Sequence, residues 1–83
     1  VGGKIEALEF RAAEGAEVCG VPLLKLQLRK NLLICCINRG GQILIPSGQD
    51  TIEPGDTVVV VSSTPGLREL DDILAGHRGY GHE

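Results

Sequence analysis

With 83 residues, a formal charge of −3, one Phe, one Tyr and no Trp, the chain has room for one small domain, of a size that buries only about 60% of the surface its unfolded form exposes. The acidic balance lacks the basic footprint that phosphate-backbone affinity needs, and the near absence of aromatics removes stacking platforms, so nucleic acid is excluded as a partner class. No apolar run approaches the roughly 18–20 residues of a membrane span and Val1-Gly2-Gly3-Lys4 carries no signal-peptide core, so a soluble chain without direct membrane insertion is expected.

In chain order, residues 4–10 alternate polar and apolar with Leu8 and Phe10 in phase and Ile5 out of phase, which predicts a strand with a partly solvated face and room for a bulge. Gly20-Val21-Pro22 offers a helix start, since Pro loses no hydrogen bond at the first helical position. Two periods compete beyond it: Leu24, Leu26 and Leu28 alternate like a strand, whereas Val21, Leu24 and Leu28 follow a helical stripe. A short helix over about residues 22–29 is the expectation, on the helix propensity of Leu, Lys, Gln and Arg.

Residues 32–38 and 57–61 are apolar on both alternating faces, which predicts strands covered on both sides. Gly40-Gly41 suits the positive φ angles of a two-residue hairpin, pairing 32–39 antiparallel with 42–46. Glu53-Pro54-Gly55-Asp56 carries the type II turn signature, Pro then Gly. Thr64 and Pro65 fit an N-cap and a first helical position, with Leu67, Leu70, Ile73 and Leu74 as one apolar stripe and Gly76 as the stop. Residues 77–83 read as a disordered tail. The fold expected for residues 1–76 is therefore α+β, in the order β-α-β-β-β-α, a small mostly antiparallel sheet with helices. Two short helices cannot cover both faces, so a homodimer is expected to complete or cover the sheet.

Chemistry-bearing patterns are few. Neither G-x-G-x-x-G nor G-x-x-x-x-G-K-[ST] occurs, so no nucleotide cofactor is assigned to this domain. His77 and His82 are the two histidines; in a glycine-rich tail they have no metal-ligand spacing and no pre-organised base role. No metal and no catalytic residue is expected. Cys19, Cys35 and Cys36 are odd in number and lie outside any Cys-x-x-Cys framework, as packed, reduced thiols of a cytosolic protein do. Arg39 ends an apolar strand beside Asn38 and before the glycine turn. A guanidinium there reaches a phosphate or carboxylate bidentately; the alternatives are a solvated arginine or a pair with Asp50 or Asp56.

Three segments in order, Cys19-Gly20-Val21-Pro22-Leu23, residues 37–46 from Ile37-Asn38-Arg39-Gly40-Gly41 to Pro46, and Ile52-Glu53-Pro54-Gly55-Asp56 with the valine run behind it, resemble the TrkA C-terminal domain, the C-terminal lobe of RCK units. The likeness covers roughly residues 4–74. It implies the same order of elements, association of two copies over the exposed sheet, and regulation of potassium uptake through a membrane transporter subunit. A cytoplasmic location, peripheral to the plasma membrane, follows from the same resemblance. In family members that bind cyclic di-AMP at the dimer interface, the resemblance assigns Ile37 to the hydrophobic wall beside Asn38, Arg39 to the phosphate contact and Pro46 to the later proline. The family's asparagine is replaced by Ile45, which packs against a base but cannot hydrogen-bond its edge. The family's dinucleotide-binding Rossmann lobe lies outside these residues. Three functional readings stay open: a ligand-responsive regulatory dimer of a potassium-uptake system or another transporter, a dimerisation module without ligand, and a thiol redox sensor at Cys35 or Cys36.

Overall fold

The computed structural model describes residues 4–77. Four antiparallel strands, β1 (Glu6–Arg11), β2 (Leu32–Arg39), β3 (Gln42–Leu44) and β4 (Thr57–Ser62), form one sheet in the order β1-β4-β2-β3. The valine strand β4 is central and pairs with β1 along Glu6 to Arg11 and with β2 along Leu32 to Asn38. Its alternation sorts the faces. Val58 and Val60 are fully buried and pack with Ile37, Ile52, Ile73, Val18, Leu70 and Ala12 into one core, while Val59 and Val61 are half-buried on the other face.

β2 reaches the core on both halves only because its register shifts between Ile34 and Cys36. Ile34 lies opposite Val60 and Ile37 opposite Val58, so the extra residue, Cys35, returns Ile37 to the inner face; an unbroken ladder would put Cys36 there. The bulge anticipated in the first strand lies here instead. It leaves Cys35 exposed and Cys36 half-buried, which corrects the expectation of a fully packed pair.

Both glycine turns form as their sequences predict. Gly40 and Gly41 take φ of 59° and 87°, and the Asn38 side-chain oxygen accepts from Gly41 N at 3.0 Å. Gly55 takes φ of 92° and Asp56 N donates to Glu53 O at 3.0 Å, closing the second turn.

The two expected helices are replaced. Leu23–Lys25 and Leu70–Ile73 form single 3₁₀ turns, and the chain after Leu23–Lys25 is extended from Leu26. Segments 27–29 and 73–75 then pair antiparallel: Arg29 N donates to Ile73 O and Ala75 N to Gln27 O, both at 2.8 Å, around a Leu28–Leu74 bridge. Eight residues fall below the length at which a helix repays its nucleation, and Gly66, at φ 86°, interrupts the second stretch. The stripe itself is legible: Leu70 and Ile73 are buried and Leu74 packs on the core. These loops and turns cover one face of the sheet. The opposite face keeps Leu33, 64% exposed, and Ile43, 58% exposed, open in the single chain.

Candidate functional site

The hairpin and the loop after it build a cavity of about 240 Å³ lined by Ile37, Arg39, Ile43, Leu44, Ile45, Pro46, Asp50 and Thr51. β2 places Ile37 as its buried floor. Arg39, two residues on, shares that face of the strand. β3 ends at Leu44, two residues short of the expected strand end, so Ile45 and Pro46 turn away from the ladder. Ile45 is 76% exposed at the rim. Four of the five sequence-predicted site residues thus line one concave site, together with Asp50 and with Ile43, which the sequence reading does not single out. The fifth, Asn38, is used by the turn that it caps.

Arg39 is committed to its own chain. Its Nε donates to Asp56 Oδ1 at 3.0 Å and its Nη2 to Asp56 Oδ2 at 2.8 Å and to the Thr51 carbonyl at 2.9 Å. Of the alternatives open in the sequence, the Asp56 pair is the one that forms. Asp56 is buried and also accepts from Glu53 N at 2.9 Å. The Arg39 hydrogen bonds, outweighing desolvation, hold its carboxyl below the usual 3.8. The guanidinium therefore ties the 53–56 turn to β2, and Nη1 carries none of these bonds. The cavity presents an apolar wall with one guanidinium edge beside it.

Burial, then the neighbouring Cys35, pushes the Cys36 thiol up, and burial with the nearby Glu53 and Asp71 carboxylates does the same to Cys19. A redox-sensing nucleophile needs the opposite shift.

A second constellation escapes the sequence reading. His77 is described by the structure and is not a solvated terminus: its Nε2 lies 3.0 Å from Glu69 Oε2 and 3.6 Å from Asp72 Oδ1. The Glu69 hydrogen bond raises its pKa above the ordinary 6.5, with Asp72 and Asp71 adding to it against desolvation. Residues 78–83 of the expected tail, His82 included, lie outside the described residues. The advance signal in the sequence is the Glu69-x-x-Asp72 spacing, which resembles a capping box.

Similarity to known proteins fits this architecture. The family model described as the TrkA-C domain matches residues 7–75. A Trk system potassium uptake protein TrkA homolog of Archaeoglobus fulgidus is 38% identical over 73 residues, covering 88% of this chain and 17% of that protein. Trk system potassium uptake protein TrkA homolog 1 of Methanosarcina mazei is 33% identical over 70 residues, 84% of this chain and 16% of that protein. The chain thus spans about one-sixth of the length of these relatives. A solved structure of an RCK domain with cda superposes at a TM-score of 0.61 with 15% identity, covering 71% of this chain and 81% of that one, a likeness of fold. By sequence, by its antiparallel four-stranded sheet and by its turns, the chain belongs to the TrkA-C domain family.

Proposed function

We propose that this domain is a non-catalytic, homodimeric regulatory module of a potassium-uptake system subunit, in which a small anionic ligand at the Ile37–Pro46 site changes the relation of two protomers and so the state of a partner transporter. Relatives named as Trk system potassium uptake proteins support the system. The observation that carries the ligand reading is the convergence of Ile37, Arg39, Ile45 and Pro46 on one cavity, with Ile43 belonging both to that cavity and to the open face of the sheet. A second protomer laid over the open face would therefore reach the cavity rim, and a two-fold anionic molecule such as cyclic di-AMP suits a site framed twice. Regulation then follows from differential affinity of the ligand for the two arrangements. Among the described residues no helix is long and apolar enough to cross a membrane, in keeping with a cytoplasmic domain that acts through a membrane partner.

The Arg39–Asp56 pair favours a second reading, a dimerisation module whose cavity stays empty, because its arginine is already satisfied. Titration calorimetry with cyclic di-AMP separates the two. The regulatory reading expects saturable heat that Ile45→Glu abolishes by placing a carboxylate in the rim; no heat at high micromolar ligand leaves the dimerisation module. Ile45 is the informative position because it is exposed, whereas Arg39→Ala also unpairs a buried aspartate.

A further inference from the structure

We propose that Glu69, Asp72 and His77 form a site for a single divalent transition-metal ion such as Zn²⁺. The 3₁₀ turn Leu70–Ile73 and the antiparallel return of 73–75 on 27–29 bring the three together. Their ligand atoms lie within 4.8 Å of one another. Two carboxylates converge on one imidazole nitrogen, at 3.0 Å and 3.6 Å, and one N–H can serve only the nearer.

Asp72 is the buried member of the three. It is 5% exposed, and its Oδ2 accepts from the backbone N–H of Arg68 at 2.8 Å and of Glu69 at 3.0 Å. Its Oδ1 faces His77 Nε2 at 3.6 Å, beyond hydrogen-bond reach. The second carboxylate oxygen of this buried residue thus faces the imidazole in ion-pair range, without a hydrogen bond to it. With metal–ligand bonds of about 2.0–2.2 Å, tetrahedral ligands stand about 3.3 Å apart, between the two separations seen. Two carboxylates and a neutral imidazole also balance a divalent charge, with the proton of His77 released on binding.

The supporting shell is present. Arg29 Nε donates to the Asp72 carbonyl at 2.6 Å and its Nη2 to the His77 carbonyl at 3.5 Å, so the guanidinium holds the backbone of two ligands. Glu17 and Asp71 form an overlapping group with His77, but both Asp71 oxygens already accept backbone N–H groups, from Glu17 at 2.9 Å and Val18 at 3.1 Å. The triad through Asp72 is therefore the better donor set, with water completing the shell. It shares no residue with the ligand cavity, and it stands or falls independently of it.

The test is calorimetric titration of the 83-residue chain with Zn²⁺, repeated on His77→Gln, Glu69→Gln and His82→Gln, with Co²⁺ absorption reporting the donor type. Expected is one ion per chain, weakened at least about tenfold by His77→Gln and by Glu69→Gln and unchanged by His82→Gln, with a Co²⁺ spectrum free of thiolate charge-transfer bands. Neither test variant removes a buried group, and a thermal melt without metal confirms that both fold. No binding at millimolar Zn²⁺, equal binding by His77→Gln, or binding that vanishes once Cys35 and Cys36 are blocked would overturn the proposal.

Discussion

At the scale of single residues, Arg39 and Asp56 decide how the hairpin sits on the rest of the domain. Removing the guanidinium leaves a buried carboxylate without its cation, which costs more than the pair itself contributes. Arg39→Ala is expected to lower the thermal midpoint by several degrees, and Asp56→Asn to do likewise. The pair also sets an acid limit. Because the Asp56 carboxyl is held below its ordinary 3.8 in the folded state, its contribution is complete above that value and is lost as pH falls through the lower folded-state value. Urea midpoints followed from neutral to acid pH should drop in this range for the wild type, and less steeply for Arg39→Ala; parallel curves would remove the pair from the account. Arg39 is legible in the sequence as a residue of consequence because a guanidinium between an apolar strand and a glycine turn needs a partner, and the sequence leaves Asp50, Asp56 and a ligand all available. Which one it meets depends on the register of the 53–56 turn against β2, a long-range fact. His77 is less legible for a different reason: its partners Glu69 and Asp72 are close in sequence and their capping-box spacing is visible, but the 3₁₀ turn that aims them at the imidazole stands where the apolar stripe suggests a helix.

At the scale of elements, strands and turns are legible where their chemistry is local. In β4 the alternation of Val58 and Val60 with Val59 and Val61 marks the inner and outer faces of the sheet. The glycine turns require positive φ and obtain it. At Gly55, φ is 92° with nothing within 4 Å of an added Cβ, so Gly55→Ala isolates the backbone cost, about 1–2 kcal/mol, measurable as a shift in urea midpoint at unchanged slope. The helices fail to form because short length and Gly66 outweigh propensity and an apolar stripe. Their buried side chains still hold the core. Ile73, wholly buried though its helix is absent, is expected to cost about 2–5 kcal/mol as Ile73→Ala, a large share of the roughly 5–15 kcal/mol typical of a domain. A loss below about 1 kcal/mol would mean that the 70–75 segment does not pack as described.

At the scale of the whole molecule, the open face of the sheet is the unmet demand of this chain. Leu33 and Ile43 stand exposed on it beside Val59, Val61 and Cys36, and the bulge sets Cys35 at the surface of β2. The sequence pattern, apolar on both alternating faces of β2 and β4, asks for cover on both sides, and the fold supplies it on one. A second copy over the remaining face would bury these side chains and bring a second Ile43–Ile45 rim to the cavity beside Ile37 and Pro46. Cys35 should then react with a thiol reagent rapidly in dilute solution and slowly where chains associate; a rate independent of concentration would place it outside any interface. The most direct test of the regulatory dimer is sedimentation equilibrium over a range of concentrations, with and without cyclic di-AMP. A regulatory dimer gives about twice the chain mass at micromolar concentration and, by mass action, persists to lower concentration when ligand is present. A compact monomer at every concentration, unaffected by ligand, would contradict it.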